Sequence, residues 1–256
     1  MTERMQRILP TVQKPARYTG GEWGEIKKDL KDVRVRVAFC FPDTYEIGMS
    51  NLGMRILYSV MNGMDGVWCE RVFAPWGDME QAMRDNSLPL WALESQTPVR
   101  EFDMIAFTIG YEMAYSNILN MLNLAGVPLS SKDRQGLKNI VFAGGVCAFN
   151  PEPLADFIDF FSLGEGEDIT VEILQLYDRA KAEGWSKDAF LHEAAKIPGV
   201  YVPSFYHHEY NADGTLAAIV PLEGVPQTVT KRIIEDLDNA YFPTKMIVPS
   251  TEIVHD

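Results

Sequence analysis

Short apolar runs alternate with amphipathic stretches along the first two thirds of the chain. Val33 to Phe41 switches between apolar and basic positions up to Val37 and is then continuously apolar, the mark of a strand buried on both faces in its second half. Val67–Phe73, Asp103–Ile109, Ile140–Ala143 and Phe157–Leu163 read as four further strands. Between them apolar residues recur at helical spacing. Leu52, Ile56, Leu57, Val60 and Met61 predict a helix over 50–62 that stops at Asn62-Gly63, and a short helix follows over 78–84. Ile118, Leu119, Met121, Leu122 and Leu124 predict another over 114–125 closing at Gly126, and Ile169, Ile173, Leu176, Tyr177 and Ala180 one over 168–181 with Gly184 as its stop. Strand and helix thus alternate five times over residues 33–183. The pattern predicts an α/β fold, a doubly wound parallel five-stranded sheet with right-handed crossovers.

The flanks lack that rhythm. Residues 1–32 mix charges with Pro10, Pro15 and Gly20-Gly21, which reads as a short helix, an irregular crossing and a helical turn over 23–30. Leu90–Glu94 reads as an additional small strand, and Ser186 as the cap of a helix through Ala195. Tyr201–Tyr210 and Thr215–Val220 flank Asn211-Ala212-Asp213-Gly214, a hairpin signal. Beyond Leu222, Pro226, Pro243 and Pro249 interrupt any period. The expected organisation is a lead-in over 1–32, the α/β domain over 33–198, a hairpin appendage over 199–221 and an extended linker over 222–256.

Charge and composition narrow the partners. Thirty-six acidic residues against 23 basic ones give a net charge of -13, so no broad basic face exists to release counterions from nucleic acid. No apolar run approaches the ~18 residues of a membrane span, and Met1–Arg7 leads into no signal-peptide core, so a cytoplasmic protein without membrane contact is expected. Cys40, Cys69 and Cys147 are too far apart for a C-x-x-C pair and read as buried small hydrophobes. His192, His207, His208 and His255 lie away from the strand ends, the middle two in an exposed hairpin. No nucleophile–base pair, catalytic residue or metal site emerges.

The loops leaving the strands carry the candidate chemistry. They are Asp43, Thr44, Tyr45, Glu46, Gly48 and Ser50 after the first strand, and Thr108, Gly110, Tyr111 and Glu112 after the third. Gly144 and Gly145 with Asn150 and Pro151 follow the fourth, and Gly164, Glu165, Gly166 and Glu167 the fifth. In a doubly wound sheet these loops converge on one rim. Glycine there removes side chains where a flat ligand would press on the backbone, although strand-to-helix turns need glycine for themselves. Equally, Asp43 serves as a capping acceptor and Gly48 as a backbone requirement in a plain helix entry. Gly164-Glu165-Gly166 lacks the third glycine of a dinucleotide loop, and Glu165, Glu167 and Asp168 repel an anion. Asn117, Asn120 and Asn123, three residues apart, read as a solvated stripe.

Asp43-Thr44-Tyr45-Glu46-Ile47-Gly48 has the spacing of the D-x-H-x-x-G motif of cobalamin-binding domains, with Tyr45 in the histidine's place and Gly144-Gly145 where those domains have a double glycine. Pro42 through Gly53, Tyr111-Glu112 with Asn117, Gly144 through Pro153 and Gly164–Glu167 together resemble the N-terminal region of B12-binding-domain-containing radical SAM proteins. Lys14–Tyr18 and Asp236-Leu237-Asp238 are similar as well. The resemblance implies a Rossmann-like, cobalamin-binding-like accessory domain that either holds a corrinoid or keeps only its shape. A neutral phenol of pKa about 10 is a poor cobalt ligand, so cobalamin would bind base-off and without a histidine. Thr108-Ile109-Gly110 stands only approximately where those domains have their S-x-L element. A [4Fe-4S] cluster and SAM would belong to a downstream radical SAM barrel with a C-x-x-x-C-x-x-C motif, which this sequence does not contain. That barrel is the expected partner, in cis or from an adjacent reading frame, in which case the chain is truncated or the product of a split gene and is not catalytic by itself. The alternatives are a degenerate docking module without a cofactor and a stand-alone nucleotide-dependent α/β oxidoreductase.

Overall fold

The computed structural model describes residues 2–248. Its central sheet contains β1 (Val35–Phe41), β2 (Val67–Phe73), β3 (Met104–Thr108), β4 (Ile140–Gly144), β5 (Phe160–Ser162) and β6 (Val200–Tyr201) in the order β2-β1-β3-β4-β5-β6. The first five are parallel, and β6 pairs antiparallel with β5. The sheet is therefore six-stranded and mixed rather than five-stranded and parallel. A two-residue strand that enters from Gly199 at φ +94° is too short to show a period. The order reverses between β1 and β3, where doubly wound sheets open a ligand crevice.

Helices cover both faces, which is why these strands are apolar on both sides. Val35, Val37, Phe39 and Phe41 pack beneath α3 (Leu52–Gly63) and α6 (Gly166–Glu183) in one core, joined by α7 (Lys187–Ala194). Ala38 and Cys40 face the other core, with α4 (Gly77–Asp85), α5 (Tyr115–Ala125) and the lead-in helix α1 (Thr2–Ile8). The expected helix stops hold: Gly126 and Gly184 both adopt φ +70°, a left-handed closure that glycine adopts without strain. Ser186 caps α7, accepting from the Ala189 amide at 3.1 Å.

Several local expectations differ from the structure, each because tertiary contacts claim the backbone. The first loop continues as α2 (Tyr45–Ser50), with Thr44 at its N-cap position. Of the turn expected over 23–30 only Leu30 is helical, opening a 3-10 turn, since the Ile26 amide donates to the Tyr58 hydroxyl and the Ile26 carbonyl accepts from the Trp68 indole, at 2.8 and 3.0 Å. Leu90–Glu94 contributes only a bridge between Trp91 and Pro98 and lies along β2, the Leu93 amide donating to Arg71 at 2.9 Å. That segment and the lead-in bury all seven residues of β2, although it is the edge strand.

The asparagine stripe is partly solvated, with Asn123 exposed, and also makes contacts with neighbouring elements. Asn117 donates to the Pro42 carbonyl, while Asn120 and Asn123 both accept from Arg84 of α4, at 2.8 and 3.0 Å. The hairpin pairs β7 (Tyr206–Tyr210) with β8 (Leu216–Pro221). His207 is exposed there, and His208 is half-buried with its ring 3.3 Å from Glu152. Cys40 and Cys69 are buried as expected; Cys147 is half-buried.

The stretch read as an extended linker packs on the domain up to Val248. The Arg232 backbone pairs with Gly164, the Gly24 amide donates to Ile247 at 3.0 Å, and Ile247 and Val248 are buried. Pro249 to Asp256, with the end of the expected linker and His255, lies outside the described residues. Among the described residues no helix is long and apolar enough to cross a membrane.

Candidate functional site

Beneath the carboxyl ends of β1, β3, β4 and β5, on the face covered by α3 and α6, lies a cavity of about 180 Å³. Phe39, Ala106 and Phe142 of the sheet and Ile56, Leu57 and Met61 of α3 form its apolar walls. Its polar groups are Thr108, Ser162, Thr170 and Glu167. The alternation of strand side chains puts Ala106 and Thr108, and Phe160 and Ser162, on one face. The rhythm that predicts the strands therefore also aims these hydroxyls at the cavity.

Glycine shapes the cavity in three ways. A side chain at Gly166 would press on Leu57 at 3.1 Å, and one at Gly145 would meet the Ile109 backbone at 2.7 Å. At Gly164 a Cβ would stand 2.1 Å from the Arg232 carbonyl oxygen. The opening expected at Gly164 is thus filled by the chain's own tail, whose Arg232 amide donates to the Leu163 carbonyl at 2.8 Å. Arg232 also pairs with Glu172, and the Ile234 amide donates to the Glu165 carboxylate. Gly110 alone of the rim glycines faces open space.

The first loop is divided between the rim and the lead-in. Asp43 accepts from the Thr44 amide at 2.7 Å and from the Tyr111 hydroxyl, which joins the β1 and β3 loops. That bond, with burial adding to it, pushes the Tyr111 phenol up to about 12. Glu46 turns outward to Arg17 and Lys14, Ser50 back-bonds to the Glu46 carbonyl, and Gly48 fits under Phe73, where a Cβ would stand 2.3 Å from the ring. Burial, and then the neighbouring Glu112 carboxylate, raise the Cys147 thiol, and the Asn150 carbonyl accepts from Tyr115. Pro151 precedes the turn Glu152–Leu154.

Tyr45 does not face the cavity. It stacks edge-on against Phe73 and donates to Glu22 of the lead-in at 2.9 Å. Glu22 and the fully buried Glu94 together clamp Arg71, itself 0% exposed, whose guanidinium lies 5.6 Å from the Tyr58 ring. Burial pushes Glu94 above the usual carboxyl range despite Arg71. For Glu22 burial acts the same way, but Arg71 and Tyr45 outweigh it and hold the group below its ordinary value. Burial beside Glu22 raises the Tyr45 phenol. Sequence reasoning missed this network, although two adjacent charges, Glu70-Arg71, inside an apolar strand were a visible signal.

These groups do not fit a corrinoid. The position matching the histidine is committed to Glu22, and the tail occupies Gly164. The cavity wall also offers no cation to a phosphate-bearing tail.

Fold and rim together define a doubly wound α/β domain with a ligand-type crevice at its switch point. The chain belongs to the family described as radical SAM proteins, N-terminal, which matches residues 53–203. The uncharacterized protein MJ0966 of Methanocaldococcus jannaschii is 27% identical over 143 residues, 54% of this chain and 26% of that protein. A radical S-adenosylmethionine methyltransferase, TsrM from Kitasatospora setae, solved with tryptophan and a SAM analogue, aligns at 15% identity and a TM-score of 0.37. That alignment covers 73% of this chain and 30% of the other. The chain thus spans about a quarter of the curated relative.

Proposed function

We propose that this chain is an accessory domain that docks through its carboxyl rim onto the catalytic domain of a radical SAM enzyme and shapes substrate access there. The [4Fe-4S] cluster and SAM reside in that partner, in the same polypeptide or a separate one. Family membership supports the setting, and the rim's surface carries the reading. Ile47, Leu52, Tyr111, Met113, Val146 and Phe149 are all exposed on the segments that follow β1, β3 and β4, the first two on α2 and at the start of α3, with Met113 84% and Val146 73% exposed. Apolar side chains gathered at such exposure on one face of a globular domain mark an interaction surface.

Co-expression with the radical SAM domain that accompanies this chain tests the reading. The two should co-elute in gel filtration, and Met113→Asp combined with Phe149→Asp should separate them while leaving the melting temperature unchanged. A wild-type chain that migrates independently of that domain overturns it. The corrinoid reading is supported by the switch-point position of the cavity but not by its groups. Hydroxocobalamin is accordingly expected to separate from the chain in gel filtration, and co-elution of its visible spectrum would restore that reading.

A further inference from the structure

We infer that the cavity under the rim is a binding site for a small amine whose apolar body is about one ring in size. The inference goes beyond rim docking and does not depend on it, since the cavity lies below the docking surface, between the sheet and α3 and α6.

Size sets the first limit. At about 180 Å³ the space is close to the ~150 Å³ apolar cavity that accepts benzene. Its walls are mostly carbon, so the body of the ligand is apolar. The polar groups set the second limit. Ser162 is 6% and Thr170 5% exposed, and neither hydroxyl has a hydrogen-bond partner among the described residues. Thr108 and Glu167 line the same space, also without a side-chain partner among the described residues. Polar groups on so closed a wall are nearly always paired, with protein, ordered water or a ligand, and two hydroxyls without a protein partner on one cavity offer their hydrogen bonds to whatever occupies it.

Charge sets the third limit. Glu167 is the charged side chain of the cavity wall, and no Lys, Arg or His accompanies it. A carboxylate bordering a space of low polarity attracts a cation and repels a carboxylate or phosphate. The same asymmetry excludes nucleotide tails and dinucleotides, and it leaves an ammonium or N–H group at the Glu167 end with the hydroxyls accepting alongside it.

Benzylamine and benzoate, alike in size and opposite in charge, test this by isothermal titration of the full chain, with toluene as the uncharged control. Benzylamine should bind at least tenfold more tightly than toluene, and benzoate should not bind. Glu167→Gln, at a half-buried position outside the core clusters, should remove that preference for benzylamine while toluene binding is retained, and Thr170→Val should weaken benzylamine by a smaller factor. Equal binding of benzylamine and toluene, binding of benzoate, or unchanged benzylamine affinity in Glu167→Gln would each overturn the assignment, as would silence of all three probes.

Discussion

The two sides of the switch point contrast sharply in how they treat polar groups. On the β2 side, Arg71 and Glu94 are buried and the half-buried Glu22 of the lead-in closes over them, each group paired. On the β5 side, Ser162 and Thr170 are also largely buried, but their hydroxyls have no side-chain hydrogen-bond partner among the described residues and border a cavity. A paired buried charge holds structure, because removing one member strands the others; an unpaired buried hydroxyl contributes nothing to the fold and is kept only at a cost. The first side is the scaffold, and the second is the region with capacity to spare for a ligand.

The largest effect expected is that of Arg71→Ala. It leaves Glu94 and part of Glu22 buried without a counter-charge and should cost about 3–5 kcal/mol in urea unfolding. A loss below ~1 kcal/mol would break the contrast. Next comes the pH dependence of the same cluster. Glu22 has a depressed folded value, so its stabilisation is complete above its ordinary value of 4.5 and is lost as pH falls through the lower folded one. Glu94, whose folded value is raised, works in the opposite direction, gaining its proton first in the folded chain. Glu22→Gln should therefore weaken the chain at pH 7 and flatten the stability loss below about pH 4.5, as measured by unfolding at a series of pH values.

Smaller still is Tyr45→Phe, which removes the hydroxyl given to Glu22 and should cost about 0.5–1.5 kcal/mol. Tyr45→His should not confer corrinoid binding, because the side chain at this position is directed at the lead-in; a visible corrinoid spectrum co-eluting with that variant would redraw the site. The smallest effect sharpens the other side. Thr170→Val replaces an unpaired hydroxyl with a methyl of similar shape and should leave stability unchanged or raise it by up to about 1 kcal/mol. A loss above that amount in chemical unfolding would show that the hydroxyl is paired and that the two sides are alike.

Much of the scaffold was legible in the chain. Val67–Phe73 is the observed second strand as written, and the glycines at 126 and 184 end the helices they were expected to end. Continuous apolar runs and 3.6-residue spacing are local properties, so they survive folding unchanged. The rim loops were also legible as a group, since strand ends in a parallel sheet share one edge. The rest depended on distant partners. Tyr45 sits in a motif spacing that resembles a metal site, yet its direction is decided by Glu22, 23 residues earlier in the chain. Gly164 reads as room for a ligand, but Arg232, 68 residues later, fills it.

By itself, then, the sequence determined a doubly wound α/β domain, the glycine stops of its longer helices and the edge on which its unusual residues gather, because each follows from side-chain periodicity and backbone preference within a few residues. Only the tertiary structure decided which of those residues look into the cavity and which are spent on the scaffold. The reason is that a hydrogen bond or an ion pair is a relation between two places in the chain, and neither place encodes its partner. Tyr45 is bound to the lead-in and Thr170 is left open by contacts that come into existence only when the sheet, the lead-in and the tail meet.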